Sequence, residues 1–540
     1  MFQTAELGQT ISKADFDLVA DDLRLELLAV QQELRGADFP VIVVFAGVDG
    51  AGKGESVNLI NEWMDPHWIQ TRAYGEASDE ERERPAYWRF WRDLPPKGQI
   101  GLFLSCWYSR PILDHVHGHM GTADFDRHLD RIADFEKTLA ADGALIVKFW
   151  MHLGRDAQKR RLKQLEKDPL QSWRVGKADW RNWKLYDRFV ATAERAVRRT
   201  DSGQTRWIIV EGEDSRYRSL TVLTTLRDAI RRQLTQREAR LKVIREARAA
   251  SEALRSAELQ RVQAERAAIE AQAAAEAKAG AAGRKVATVK LAEDGSLRPL
   301  TVLDALDMGL ALPKEEYNQA LRQLRAELSQ LCRQAKQRGI STLLVFEGPD
   351  AAGKGGAIRR LTAGLDARDY RVIPTAAPSD EERAQHYLWR FWRHLPRAGR
   401  VTVFDRSWYG RVLVERIEGF ATADEWMRAY AEINDFEEQL VQADAVLLKF
   451  WIQITKDEQY RRFKERESVA FKAWKLTDED WRNRAKWDQY ELAVHEMVER
   501  SSTKTAPWIL VEGNDKNHAR IKVLRTVCTH LKARLDAGQA

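Results

Sequence analysis

The segment LLVFEGPDAAGKGGAIRRLT carries Gly348, Gly353 and Lys354 at Walker A spacing, between an apolar run and a helix-forming stretch. Glycines let a backbone wrap an anion so that its N–H groups and a helix N-terminus point inward, and a lysine adds a mobile charge; the arrangement suits phosphate. Gly355 follows Lys354 where the common motif has Ser or Thr to hold Mg2+, so another group must serve the metal. Asp350 lies inside the loop, where a carboxylate beside phosphates needs an offsetting cation or proton. It either helps hold Mg2+, orients an acceptor's phosphate, or merely forms an Asx turn. Further on, RVTVFDRSWYGRVLVERIEGF places Asp405 after a strand-like run, in the Walker B position, and open parallel sheets bind ligands beyond the carboxyl ends of their strands. Asp405 is therefore the first expected magnesium ligand, direct or through water. Arg406 and Arg411 follow closely; their forked donors suit phosphate oxygens, or surface ion pairs.

A third element spans Thr455 to Tyr490 and includes Arg461, Arg462, Lys464, Arg466, Lys472, Lys475, Arg482, Arg484 and Lys486. Its place after the loop and the Asp405 strand suits a lid that closes basic side chains over phosphates, against the plainer reading of a solvated helix. Arg482, then Lys475 and Lys472, are the expected contributors. A fourth basic group, Arg383, Arg390, Arg393, Arg397 and Arg400, surrounds Tyr387, Trp389, Phe391 and Trp392. The aromatic residues read as packing, and the arginines as a candidate groove wall for a long anion.

These groups need a scaffold that brings loop, strand end and lid together. Short β-branched and apolar runs recur at Ser341 to Glu347, Tyr370 to Thr375, Arg400 to Phe404, Ala445 to Ile454 and Pro507 to Val511, separated by helical patterns. That alternation predicts βαβ units and a parallel sheet covered by helices on both faces. Ser379-Asp380-Glu381-Glu382 and Thr477-Asp478-Glu479-Asp480 have the form of capping boxes at helix starts, and Ser78-Asp79-Glu80-Glu81 repeats the first.

The chain also repeats itself. VFAGVDGAGKG matches VFEGPDAAGKG, so that Lys53 and Lys354 stand 301 residues apart, and the same offset relates Trp88-Arg89-Phe90-Trp91 to Trp389-Arg390-Phe391-Trp392, Lys148-Phe149-Trp150 to Lys449-Phe450-Trp451 and Asp179-Trp180-Arg181-Asn182 to Asp480-Trp481-Arg482-Asn483. An unchanging register over that span means duplication. The expected architecture is α/β: two tandem P-loop kinase domains, each a parallel sheet flanked by helices with a helical lid. They are assigned to residues 1–237 and 291–540, joined by an Ala/Glu/Arg-rich helical linker over 238–290 that is read as a single helix or a hairpin.

The 540 residues, 44% hydrophobic and 31% charged, supply more than one core, and the net charge of +6 permits an anionic partner. Cys106, Cys332 and Cys528 have neither metal-ligand nor redox-pair spacing, which suits a reducing cytoplasm. No stretch approaches the ~18 apolar residues of a membrane span, so no membrane association is expected.

The strings FEGPDAAGKGG, HYLWRFWRHLPRAGRVTVFDRSWYGRVLVERIEGF, INDFEEQL and WKLTDEDWRNRAKWDQY together resemble the polyphosphate kinase 2 family, in particular its two-domain class II members. The resemblance covers nearly all of the second copy and, more loosely, the first; Pro349 departs from the bulkier residue of the family pattern. It implies a Mg2+-dependent phosphotransferase that moves a terminal phosphoryl group from inorganic polyphosphate to AMP by direct in-line transfer. Its active centre would comprise Asp350, Lys354, Asp405, Arg406 and Arg411, with Arg482 in the lid. The phosphates would be held by Gly348, Gly353, Lys354, Gly355, Lys472 and Lys475, and the metal by Asp405 and Asp350. His386 and His394 are then structural. The expected partners are polyphosphate and AMP, with no nucleic acid; a homo-oligomer is allowed. The rival readings are ADP as acceptor, an ATP-dependent nucleoside monophosphate kinase, and a non-catalytic polyanion-binding protein.

The two copies are unequal. Asp49, Lys53 and Arg110 match Asp350, Lys354 and Arg411, and the lid of the first copy keeps Arg174, Lys177, Arg181 and Lys184. Leu104 and Ser105, however, stand where Asp405 and Arg406 stand. An aliphatic side chain cannot coordinate Mg2+, so the first copy is expected to be catalytically silent, while still free to hold polyphosphate or to support the assembly.

Overall fold

The computed structural model describes residues 1–170, 172–276, 301–468 and 478–537, with backbone alone at 174, 248–276 and 478. Each copy forms one five-stranded parallel sheet. In the first, β1 (Val41–Gly47), β2 (Ile69–Ala73), β3 (Ile100–Leu104), β4 (Leu145–His152) and β5 (Trp207–Glu211) lie in the order β2-β3-β1-β4-β5. The second repeats that order as β7-β8-β6-β9-β10, with β6 at Thr342–Glu347, β7 at Tyr370–Pro374, β8 at Val401–Asp405, β9 at Val446–Gln453 and β10 at Trp508–Glu512. The strands coincide with the expected apolar runs because a parallel sheet covered on both faces requires continuous rather than alternating hydrophobicity: all six residues of β6 and all eight of β9 are buried.

Register positions the chemistry. Phe346 pairs with Asp405 across β6 and β8, and with Phe450 across β6 and β9. The loop leaving β6 and the carboxylate ending β8 therefore emerge side by side at the carboxyl edge. Both expected capping boxes within the described residues form: Ser379 with Glu382, and Ser78 with Glu81. The third begins at Thr477, outside the described residues.

The copies are not separate globules. One hydrophobic core runs through both; Trp91 and Trp392 stack with ring centroids 5.7 Å apart, Arg397 grips Glu83 with two hydrogen bonds of 2.6 and 2.9 Å, and Arg428 reaches Asp142 at 2.6 Å. Helix Ser215–Glu276 runs without a break from a segment packed on the first sheet, where Val222, Leu223, Leu226 and Ile230 are buried, into the Ala/Glu/Arg-rich stretch. The boundary at 237 thus falls inside one helix, and the linker up to Glu276 is a single helix rather than a hairpin; residues 277–290 lie outside the described residues. The three thiols are free, and burial pushes each up to about 12. Among the described residues no helix is long and apolar enough to cross a membrane.

Candidate active site

Between β6 and helix Lys354–Thr362 the loop turns over Gly348, whose φ is +148° and where a Cβ would stand 2.4 Å from the carbonyl oxygen of Ile452 in β9. Only glycine fits so close to a neighbouring strand. Ala351 and Arg406 also adopt left-handed backbone, at φ 63° and 64°. That conformation costs non-glycine residues of order 1–3 kcal/mol and concentrates at functional sites. Arg406 is locked into it by its N–H donating to Phe346 (3.0 Å) and by Thr375 Oγ1 donating to its carbonyl (2.9 Å).

Lys354 donates Nζ to the carbonyls of Gly348 (2.6 Å) and Pro349 (3.2 Å), folding over the loop. Burial and then the nearby Arg406 charge hold its ammonium below the usual lysine range. Asp350 accepts from Arg406 Nη2 at 2.7 Å and from Asn483 Nδ2 at 2.9 Å, so an arginine supplies the offsetting cation that the sequence requires. At Gly355 a Cβ would meet no atom within 4 Å, which leaves open space at the helix N-terminus. Asp405 ends β8 half-buried, its carboxylate engaged by no hydrogen bond or ion pair among the described residues.

Two cavities meet here. One is a groove of about 740 Å³ over the loop, walled by Lys354, Arg359, Arg360, Arg466, Lys516 and Arg520 together with Asp405. The other, on the far side of the loop, is walled by Leu303, Leu413, Val414, Trp451, Trp487 and Val494. Asp350 and Arg406 line both.

Several of these residues escape the sequence reading. Arg359 and Arg360 follow the motif on its own helix, Lys354–Thr362, and Lys516 and Arg520 come from helix Lys516–Ala537, which carries no phosphate motif. Arg462, expected in the lid, is instead a buried staple: it donates to the carbonyls of Ala351, Ala352, Gly513 and Asn514 at 2.6–2.9 Å and so fixes the loop. Glu347, last in β6, is buried and accepts from Ser407 Oγ at 2.8 Å; burial raises its carboxyl above the ordinary range. The available signal was the pairing of Glu347 with Ala46, and of Ser407 with Cys106, across the two copies.

Other expected residues lie apart from the cavities. Arg411 pairs with Glu415 at 3.1 Å and lies over the Tyr387 ring at 4.5 Å, lining neither cavity. Arg482 is held by Glu418 at 3.2 Å, and it is its neighbour Asn483 that reaches the loop. Lys472 and Lys475 lie outside the described residues. The fourth basic group forms no groove wall: Arg383 pairs with Asp380, Arg390 with Glu382, Arg393 with Glu381, Arg397 with Glu83 and Arg400 with Asp369. Carboxylates close at hand in the capping-box helix, just before β7 and in the other copy neutralise these arginines. His386 packs against Trp91 between the copies, and neither it nor His394 lines either cavity.

In the first copy, Lys53 folds onto the carbonyls of Gly47 and Val48, and Asp49 accepts from Asn182 at 3.1 Å, as their counterparts do. Leu104 ends β3 opposite Phe45, and Ser105 keeps the left-handed turn at φ 49° without the guanidinium. Arg110 is 84% exposed and pairs with Asp114.

A family model described as Polyphosphate kinase 2 matches residues 10–238 and again 311–538. The chain is 47% identical, over 99% of its length and 99% of the relative's, to a protein of Pseudomonas aeruginosa named Polyphosphate:AMP phosphotransferase. It is 34% identical over 92% of both chains to one of the same name from Acinetobacter johnsonii. A crystal structure named for polyphosphate kinase 2 of Pseudomonas aeruginosa superposes with a TM-score of 0.82 at 45% identity, covering 99% of each chain.

Proposed function

The chain belongs to the polyphosphate kinase 2 family, and from that premise we propose that it is a polyphosphate:AMP phosphotransferase whose chemistry is done by the second copy. The observation that carries the reading is the meeting of two unlike cavities at Asp350 and Arg406. The cation-walled groove suits a polyphosphate chain, whose charge recurs at every phosphorus; the apolar cavity suits the base and ribose of a nucleotide, with its phosphate directed at Arg406.

Phosphoryl transfer needs in-line positioning and neutralised charge more than covalent help. An oxygen of the AMP phosphate attacks the terminal phosphorus of the chain, and the bond from that phosphorus to its bridging oxygen breaks. ADP forms and the polyphosphate is one unit shorter. Lys354 and the loop N–H groups bind the terminal phosphate, and Arg406, anchored by Asp350, orients the acceptor. Asn483 fixes Asp350 from the lid side.

Among the described residues no group of three or more His, Cys, Asp or Glu side chains is arranged to hold a metal. Mg2+ bound through one or two carboxylates plus substrate phosphates needs no such cluster, and the unengaged Asp405 fits that mode. Asp350, already paired with Arg406, fits it less well. When bound, Mg2+ would neutralise charge developing on the phosphoryl oxygens. The free, unreactive thiols support a reducing cytoplasmic setting.

The test is to incubate the protein with Mg2+ and polyphosphate, adding AMP, ADP or GMP in turn, and to identify the products. ADP formed from AMP without ATP is expected; absence of any polyphosphate-dependent product contradicts the reading.

A further inference from the structure

The phosphate loop of the first copy is filled from within the chain. Glu55 stands where the second copy has Gly356, in the first turn of helix Lys53–Trp63. One oxygen of its carboxylate accepts from Arg161 at 2.6 Å and the other from Arg218 at 2.5 Å. Arg218 replaces Ala519 and is 4% exposed; its guanidinium lies so close over Gly52 that a Cβ there would stand 2.3 Å from Cζ. It also donates to the Gly212 carbonyl at 3.0 Å, while its buried Nε finds no acceptor among the described residues.

The second copy lacks both the Glu55 carboxylate and the Arg218 side chain, since Gly356 and Ala519 stand at those positions. Arg462, the counterpart of Arg161, pairs instead with Glu458 at 2.6 Å and donates to the Gly513 carbonyl at 2.6 Å, with its Nη1 3.8 Å from where a Cβ on Gly353 would stand. The first copy has Ala157 in place of Glu458, which releases Arg161 to Glu55. The groove wall is lost as well: Arg359, Arg360, Arg466, Lys516 and Arg520 become Asn58, Leu59, Leu165, Ser215 and Ser219. A carboxylate at a helix N-terminus between two arginines meets the same dipole and donors that a phosphate would.

We propose that the Glu55 carboxylate occupies the phosphate seat of the first loop, held by Arg161 and Arg218, so that the chain engages phosphate through one loop only. The first copy then cannot hold polyphosphate at its loop. The inference is independent of which nucleotide accepts phosphate, and its test reads binding rather than transfer.

Isothermal titration of the full chain with inorganic pyrophosphate, beside its Lys53→Ala variant, is expected to give the same number of equivalents. One equivalent lost with Lys53→Ala overturns the proposal. Glu55→Gly, which copies position 356, leaves Arg161, Arg218 and Lys53 around a vacated seat. It is expected to take up one further equivalent, lost again in Glu55→Gly/Lys53→Ala. A folded Glu55→Gly chain with no further equivalent contradicts the proposal; where melting shows that this variant does not fold, the comparison with Lys53→Ala decides alone.

Discussion

At the residue scale, the most informative side chain is one that motif reading passes over. Glu347 is buried between Ser407 and the loop, in the copy proposed to be catalytic, and its counterpart is Ala46 in the copy read as silent. Its carboxyl is raised above 4.5, chiefly by burial. A raised acid stabilises the fold fully below its unfolded value and loses that contribution as pH rises through the folded one. Glu347→Gln is therefore expected to melt with the native chain near about pH 4 and above it near about pH 7, while turnover falls because Ser407, beside Arg406, loses a charged acceptor. Equal melting differences at both pH values would contradict this. Asp350, Lys354 and Asp405 were legible in the sequence because glycine spacing and a strand-end acid are local patterns. Arg359, Arg360, Lys516 and Arg520 were not, because they become a wall only when helix Lys516–Ala537 packs beside the loop.

At the element scale, the sheets were legible almost to the residue, since continuous apolar runs have one use in a parallel sheet. The repeated Lys-Phe-Trp motif was visible but its purpose was not. It puts a fully buried lysine in the interior strands β4 and β9: Lys449 donates to Glu437 (2.7 Å), Tyr409 (2.9 Å) and the Ser501 carbonyl (2.7 Å), and Lys148 makes the matching set with Glu136, Tyr108 and Thr200. This ties β9 to helices Ala423–Gln442 and Trp487–Ser501. Removing one partner leaves an uncompensated buried charge, so Lys449→Ala is expected to cost about 3–5 kcal/mol in denaturant unfolding, whereas replacing both members with apolar residues of similar volume costs much less. A loss of under about 1 kcal/mol for Lys449→Ala would contradict the role assigned to the pair.

At the scale of the whole molecule, duplication was legible from the constant offset, and the asymmetry at 104 and 105 with it. Two things were hidden. The copies share a core through Trp91 and Trp392, and the first site has changed at far more than two positions, because the positions concerned are distant in sequence and meet only in the fold. Exchanging Leu104→Asp and Ser105→Arg therefore restores no activity to a chain disabled by Lys354→Ala: Ala46, Glu55 and the lost cations still separate that loop from a working one. Recovery of polyphosphate-dependent ADP formation in that triple variant would show that the two positions suffice. The central claim, that one copy catalyses and the other does not, is tested most directly by comparing Lys53→Ala and Lys354→Ala in the formation of ADP from AMP and polyphosphate. Lys354→Ala is predicted to fall on the order of 10²–10³-fold and Lys53→Ala to keep about the native rate; loss of turnover in Lys53→Ala with turnover retained in Lys354→Ala would contradict the account.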